Sequence, residues 1–129
     1  MLSFPGMSDD GLQLQPLEAF LEARFVGPFA VDRFNRQLTR AISEAVLAKC
    51  RRVLVDTTRL TGTIPLEDRY AIALHGADAA AGFRVSILAT VDQIEPRKFG
   101  ALVANDQRLE VDVFHERGAA LAWLFRDAT

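Results

Sequence analysis

The sequence predicts an α/β domain in which a mostly parallel or mixed sheet of about four to five strands is accompanied by about four helices. Short runs typical of strands alternate along the chain with longer segments that repeat apolar residues at helical spacing. The run RVLVD at 52–56 is almost continuously apolar, as expected of a strand covered on both faces. The 129 residues suit one domain with one core.

The N-terminal region predicts a tail followed by two strands. Residues 1–11 are rich in Pro, Gly and Ser and are expected to form a flexible tail, so that the single domain covers 12–129. Residues 12–17 alternate in polarity, and Pro16 predicts that this strand lies at a sheet edge. Residues 19–26 predict a second strand, which ends before a Gly-Pro pair.

The first long helix is expected over 31–49. Its apolar face is formed by residues at helical spacing, namely Val31, Phe34, Leu38, Ile42, Ala45 and Val46. Arg33, Arg36 and Arg40 fall on another face, where they form a basic stripe. Such a stripe is either a solvated surface or a contact for an acidic lipid or protein.

The strand at 52–56 leads through a threonine-rich loop into a helix expected over 65–78. Pro65 suits the first turn of a helix, where the missing N–H costs little. The predicted apolar face of this helix consists of Leu66, Tyr70, Ala73, Leu74 and Ala77. Ile72 lies off that face, which predicts a helix that is apolar on more than one side.

The C-terminal half continues the same alternation. A strand is expected at 84–91, a loop at 92–96 and a short helix at 97–106, with Phe99 facing inward. A last strand is expected at 110–114 and a last helix at 116–126, whose inward residues are Leu121, Trp123, Leu124 and Phe125.

Composition excludes several classes of function. A formal net charge of −2 argues against nucleic acid as the main partner, because such binding needs a basic surface. Cys50, His75 and His115 are not at ligand-like spacing, so neither a metal site nor a cofactor is expected. The start of the chain has no basic, apolar leader, and no run of about 18 apolar residues occurs, so a cytoplasmic protein is expected.

Asp56 is the most conspicuous candidate for a chemical role. It is predicted to close a buried strand at its carboxyl end, where open α/β sheets bind ligands. A possible ligand site therefore comprises Asp56, Thr57, Thr58, Thr61 and Thr63. The alternative is ordinary turn chemistry, because Asp and Thr side chains bond nearby backbone N–H groups.

Several enzymatic interpretations of Asp56 and its surroundings lack the residues they need. A response-regulator receiver requires an acidic pair beside the aspartate and a lysine after a later strand, yet the only lysines are Lys49 and Lys98. No serine stands in a Gly-x-Ser-x-Gly elbow, and no glycine-rich phosphate loop occurs. No catalytic residue is assigned, and an enzyme that uses Asp56 stays the least supported hypothesis.

Two stretches together, VLVDTTRLTGTIPLEDRYA (53–71) and VDVFHERGAALAWL (111–124), resemble the bacterial SpoIIAA-like family. The fold of that family is related to STAS domains and is compared with CRAL-TRIO lipid-binding domains. The resemblance covers about residues 12–126 and depends on the order and spacing of its pieces. These are Asp56, Leu60-Thr61-Gly62, Asp68-Arg69-Tyr70, and Phe114 with Ala120 to Leu124.

The resemblance implies a non-enzymatic binding module that interacts with another protein or with itself. Anti-sigma-factor antagonists of this fold carry a phosphorylatable serine at the start of the helix, where this chain has Thr63-Ile64-Pro65-Leu66. The partner-switching role is therefore not carried over, and phosphorylation of Thr61 or Thr63 stays open.

The alternative is a carrier or sensor of an apolar, lipid-like ligand with peripheral membrane association. Ile64, Leu66, Tyr70 and Phe99 are candidates to frame an apolar pocket or a dimer face. The same residues would also serve as ordinary core.

Overall fold

The strands form one mixed sheet in the chain order β1-β2-β3-β4-β5. The computed structural model of the chain describes residues 11–94 and 109–126. The strands are β1 (Leu12–Pro16), β2 (Leu21–Pro28), β3 (Arg52–Thr61), β4 (Arg84–Leu88) and β5 (Glu110–Phe114). β1 pairs antiparallel with β2, whereas the pairs from β2 to β5 are parallel. Pro16 ends the edge strand β1, as predicted.

Three α-helices lie in the described residues. They are α1 (Val31–Leu47), α2 (Leu66–Ala79) and α3 (Arg117–Leu124), and a short 3₁₀ helix covers Val91–Gln93. The predicted α/β class is therefore confirmed. The helix predicted at 97–106 and the tail predicted at 1–11, except Gly11, lie outside the described residues. Gly11 itself is buried, and its carbonyl accepts a hydrogen bond from the Val26 N–H at 2.9 Å.

Helix α1 ends two residues earlier than predicted because the chain turns into a left-handed conformation. Lys49 has φ 56°, a conformation usually occupied by glycine at the end of a helix. The N–H of Cys50 bonds the carbonyl of Ala45 at 2.9 Å, and that of Lys49 bonds Val46 at 3.0 Å. These two bonds satisfy carbonyls that the helix end leaves free.

The sheet has helices on both faces. Alternate residues of a strand point to opposite sides, and Val53 and Val55 contribute to a core with α1 and α2. Leu54 instead packs with Leu88 and with Ala120 and Leu124 of α3 on the other face. Because of this alternation, the domain has two hydrophobic cores, one on each face of the sheet.

The inner face of α1 is shifted by part of a turn from the prediction. Val46 is exposed, whereas Gln37 and Ala41 are buried. The physical reason is the neighbouring α2, which packs against α1 and adds a second buried side to it. Phe125, predicted to face inward from α3, lies past the helix end and is partly exposed, with its ring edge-on to Phe20.

Arginines from two strands hold the C-terminal end of α3. Arg52 Nε donates to the carbonyl of Leu124 at 3.0 Å, and Arg84 Nη1 donates to that of Arg126 at 2.7 Å. The Arg84 guanidinium also lies 4.4 Å from the centre of the Trp123 ring. Because the C-terminal end of a helix carries partial negative charge, cations at this position stabilise the docked helix.

Arg33 fastens the end of β2 to the start of α1. Its guanidinium donates to the carbonyl oxygens of Val26 at 3.0 Å and Pro28 at 3.2 Å. The backbone approaches this guanidinium closely at Gly27, which has φ +111°. Arg33 therefore has a structural role, and only the other two members of the predicted basic stripe remain on the surface.

None of the helices within residues 11–94 and 109–126 has the length and apolar content needed to cross a bilayer.

Candidate functional site

The strand predicted to end at Asp56 continues to Thr61. β4 pairs with β3 only as far as Leu88 opposite Asp56, whereas β2 continues until Pro28 lies opposite Thr61. The predicted strand end at Asp56 is therefore wrong. The polar run that follows Asp56 obscured the strand signal, although threonine is β-branched and favours extended backbone.

Asp56 is buried on the side of the sheet that α3 covers. Its Oδ1 accepts hydrogen bonds from the Thr58 N–H at 2.9 Å and the Thr58 hydroxyl at 2.6 Å. Its Oδ2 lies 3.7 Å from Nε of Arg24, the residue opposite it on β2. The local bonds to Thr58 are of the kind predicted for an ordinary Asp-Thr sequence, but they form in a strand.

Thr57 points to the opposite side of the sheet from Asp56 and Thr58. Its hydroxyl lies 3.2 Å from both the carbonyl oxygen of Leu88 and Oε1 of Gln93. Gln93 Nε2 donates to the carbonyls of Thr57 at 2.8 Å and Leu60 at 3.3 Å. Gln93, which the sequence did not single out, thus bonds the part of β3 that extends beyond β4.

The last residue of β3, Thr61, and the loop residues Gly62 and Thr63 that follow it are exposed, with Gly62 at φ +89°. Ile64 is half-buried, and its carbonyl accepts a bond from Arg69 Nε at 3.1 Å. Glu67 and Asp68 occupy the first turn of α2, where their charge disfavours an anion at the helix start. Thr61 and Thr63 are accessible, but Asp56 and Thr57 are not part of the same surface.

A row of large apolar side chains stands on the outside of α2. Leu66 is 58%, Tyr70 45% and Leu74 39% exposed. These residues, spaced four apart, are called the α2 stripe below. The sequence predicted one apolar face that combined these three with Ala73 and Ala77, and left a pocket, a dimer face and ordinary core open for Leu66 and Tyr70. In the structure Ala73 and Ala77 are buried, whereas the three large side chains are exposed.

The inner face of α2 consists of small residues because α1 lies close to it. Ala73, Gly76 and Ala77 are buried there, and Ile72 packs partly against the same core. A Cβ atom on Gly76 would lie 3.2 Å from Leu38 Cδ2 of α1. This close approach selects small side chains for the contact and turns the large ones outward.

Phe99, the remaining candidate, lies outside the described residues. The predicted apolar pocket would lie between α2 and the helix expected at 97–106. Because that second helix lies outside the described residues, the pocket stays a prediction.

A charged cluster on the α3 side of the sheet surrounds Asp56. Glu22 is 2% exposed, and its carboxylate accepts bonds from both terminal nitrogens of Arg117, one of them at 2.8 Å. Arg24 Nη2 lies 3.8 Å from Glu22, on the strand it shares with that residue. The cluster of Glu22, Arg24, Asp56 and Arg117 therefore balances two carboxylates against two guanidinium groups.

The cluster contains residues that the sequence prediction missed. Glu22 and Arg24 alternate with Leu21, Ala23 and Phe25, and this alternation places two charged groups on one face of β2. The hydrogen bonds that Arg117 donates to the Glu22 carboxylate raise the pKa of Arg117, and the charges of Glu22 and Asp56 raise it further, while burial lowers it. This arrangement holds α3 on the sheet and leaves Asp56 with occupied carboxylate oxygens.

The two histidines and the cysteine lie apart from this cluster. His75 Nε2 is 2.7 Å from the Thr39 hydroxyl, and His115 Nε2 is 3.7 Å from the Glu116 carboxylate. The Cys50 thiol lies 3.2 Å from the carbonyl of Arg52. Across the described ranges, no three His, Cys, Asp or Glu side chains gather as a possible metal site.

The architecture defines the class of fold. A mixed five-stranded sheet with consecutive strand order, two helices on one face and α3 on the other corresponds to the SpoIIAA-like fold predicted from the sequence. A solved structure supports this directly: an uncharacterized protein of the DUF3478 family from Shewanella loihica PV-4, described as having a SpoIIAA-like fold. The two structures have a TM-score of 0.54 and 24% sequence identity, over 92% of this chain and 99% of that one.

The predicted SpoIIAA-like fold is thus confirmed. No protein-family model matches the sequence, and no curated protein matches it either. The likeness to the Shewanella protein is a likeness of fold, and function has to be argued from the surfaces of this chain.

Proposed function

We propose that the protein is a non-enzymatic binding module that associates with a second copy of itself, or with another protein, through the α2 stripe. The single observation that carries the proposal is the exposure of Leu66, Tyr70 and Leu74 in one row on a regular helix. Isolated exposed apolar residues are normal, whereas a contiguous row is typical of an interaction surface.

The surroundings of the α2 stripe resemble the rim of an interface. The exposed Asp78 continues the row four residues after Leu74, and the exposed Glu67 adjoins Leu66. An apolar centre edged by polar groups is the usual anatomy of such a surface. Apolar burial would stabilise the complex, while the carboxylates would remain in water.

The buried state of Asp56 also favours binding over catalysis. Both of its carboxylate oxygens already face partners, Thr58 and Arg24, and the side chain is shielded from solvent. A general acid or base must come within hydrogen-bond reach of a substrate. The chemistry of this carboxylate therefore fits a structural role.

Light scattering coupled to size-exclusion chromatography tests self-association. We expect the average mass of the wild type to rise above 14.3 kDa as concentration increases. The Leu66→Gln/Leu74→Gln variant should remain at the monomer mass, because glutamine keeps the helix propensity of leucine but removes its apolar surface.

The matched control is Leu47→Gln, which changes an exposed leucine at the end of α1. It should behave like the wild type. A wild-type mass equal to the monomer at every concentration would refute self-association, and an effect of Leu47→Gln equal to that of the stripe variant would refute the assignment to α2.

The second candidate function is the carrier or sensor of a lipid-like ligand, with peripheral membrane association. The observation in its favour is that the α2 stripe shares its helical layer with the exposed Arg36 and Arg40 of α1. Apolar and basic groups on one surface are typical of interfacial binding.

Flotation with liposomes tests this second function. We expect wild-type protein to float with the vesicles and the Leu66→Gln/Leu74→Gln variant to remain in the dense fraction. Native mass spectrometry of the purified protein should show an additional mass if the protein retains a lipid. If the protein neither floats with the vesicles nor retains a lipid, the protein-binding function is the one that the experiments support.

A further inference from the structure

The two faces of the sheet differ in the chemistry of what they bury. On the side that α1 and α2 cover, the central strands contribute apolar residues such as Val53, Val55 and Val85 to the core. On the side that α3 covers, four buried side chains of the strands are polar, namely Glu22, Asp56, Arg84 and Ser86. Polar side chains are readily hydrated, so exposing the α3 side of the sheet to water costs less free energy than exposing the other side.

The apolar contact between α3 and the sheet is small. In the described residues the core on this side has four buried members, Leu54 and Leu88 of the strands and Ala120 and Leu124 of α3. The core on the other side takes buried members from all five strands and from both α1 and α2. Because apolar stabilisation grows with the area removed from water, α3 is held by much less of it than α1 and α2 are.

The specific contacts that hold α3 are largely polar. The Ser86 hydroxyl donates to the carbonyl of Ala120 at 3.0 Å, in addition to the arginine contacts at the end of the helix and the Arg117–Glu22 pair. Water replaces each of these bonds once the helix moves away, so the net contribution of each bond is modest. The Glu22 carboxylate would then be hydrated, not left buried without a partner.

The α3 segment has little stability of its own. It has 8 residues, and Glu116 at its N-cap makes no side-chain capping bond. Isolated helices of this length are marginal in water. Within the described residues α3 is joined to the sheet only through β5, whereas α1 and α2 each connect two strands. The helix can therefore move without displacing a strand.

We infer that α3 is a lid that opens as a unit while the sheet, α1 and α2 stay folded. His115 and Glu116 form a bend between β5 and α3, and this bend provides the hinge. Opening brings the buried carboxylates of Glu22 and Asp56 into contact with solvent. Asp56, which the sequence predicts as a ligand residue, is thus reachable only in the open state. The lid uses none of the α2 stripe residues, so its failure would leave the proposed protein interaction unaffected.

Thiol labelling at two neighbouring positions of β4 tests the lid. Ser86→Cys places a thiol beneath α3, and Val85→Cys places one beneath α1 and α2, both in a Cys50→Ser background that removes the native thiol. Ser86 is 0% and Val85 3% exposed, so neither new thiol reacts until the structure opens. We expect Ser86→Cys to react about a hundredfold faster than Val85→Cys, because local opening needs less free energy than global unfolding.

The dependence of labelling on urea separates local opening from global unfolding. The reaction of Ser86→Cys should change little at low urea, because the opening of α3 exposes little surface. The reaction of Val85→Cys should accelerate steeply, as global unfolding does. The free energy of global unfolding of each variant, measured by circular dichroism, corrects for any stability difference that the substitutions introduce.

Hydrogen exchange of the unmodified chain gives a second measurement that needs no substitution. The amides of Ala120 and Phe125, which bond the carbonyls of Glu116 and Leu121, should exchange at a lower free energy than those of β3 and with a weaker dependence on urea. The inference is overturned if the two thiols react at equal rates with equal urea dependence, or if the α3 amides exchange only through global unfolding.

Discussion

Replacing Arg117 with methionine is expected to lower the free energy of unfolding by about 3 kcal/mol, because it leaves the Glu22 carboxylate buried without its main partner. Glu22 is 2% exposed, whereas the side chain of Arg117 is 46% exposed. Arg24, at 3.8 Å, is a poorer partner for that carboxylate than the two bonds from Arg117. Urea unfolding followed by circular dichroism measures the change.

Replacing the other member of the pair, Glu22, should lower the free energy of unfolding by less. In Glu22→Met the arginine that loses its partner already reaches water, so we expect a loss of about 1 kcal/mol. The double variant Glu22→Met/Arg117→Met should be more stable than Arg117→Met alone, since it no longer contains a buried carboxylate without its main partner. Equal losses in the two single variants, or strict additivity in the double, would contradict this account of the pair.

The raised pKa of Arg117 determines how the stabilisation that comes from the Arg117–Glu22 pair depends on pH. A group whose pKa is higher in the folded state stabilises the fold fully below its unfolded pKa, and the contribution is lost only as pH rises through the folded value. For arginine both values lie far above neutrality. Protonation of Arg117 should therefore not make the stability difference between wild type and Arg117→Met change between about pH 6 and about pH 8.

Gly27→Ala is expected to lower the free energy of unfolding by about 2 to 3 kcal/mol. Gly27 has φ +111°, a conformation that costs other residues about 1–3 kcal/mol. An added Cβ would also lie 2.8 Å from the Arg33 guanidinium, which bonds the carbonyls of Val26 and Pro28. The substitution therefore disturbs both the backbone and the connection from β2 to α1.

Gly62→Ala is the matched control for Gly27→Ala. Gly62 has a similarly positive φ of +89°, but an added Cβ meets nothing within 4 Å. Gly62→Ala should therefore lower the free energy of unfolding by only about 1 kcal/mol, the cost of placing alanine at a positive φ. Thermal and urea unfolding of both variants would separate the two effects, and equal losses would show that the contact with Arg33 is unimportant.

The order of elements was predictable because it depends on local periodicity. The apolar runs of β3 and β4 and the helical spacing of α1 are visible in any short window of sequence. The SpoIIAA-like fold was predicted from the spacing of two motifs and is confirmed. The length of β3 was not predictable, because residues 57–61 remain a strand through pairing with β2 and the bonds from Gln93.

The candidate site was only partly predictable. Asp56 was singled out from the sequence as a candidate site residue, which stays a prediction. Its partner Arg24 lies on another strand, and Arg117, which bonds Glu22 beside it, lies far along the chain. Sequence spacing carries no signal for such contacts. The proposed role of the α2 stripe likewise depends on how α1 and α2 pack.

The sequence by itself determined the alternating order of strands and helices in the described residues and the edge position of the strand that carries Pro16. Only the tertiary structure decided which side of α2 faces water. The close contact between Gly76 and Leu38 admits no large side chain, and it turns Leu66, Tyr70 and Leu74 outward. Periodicity identifies an apolar face, but the space that a neighbouring element leaves decides whether that face is buried or forms a surface for binding.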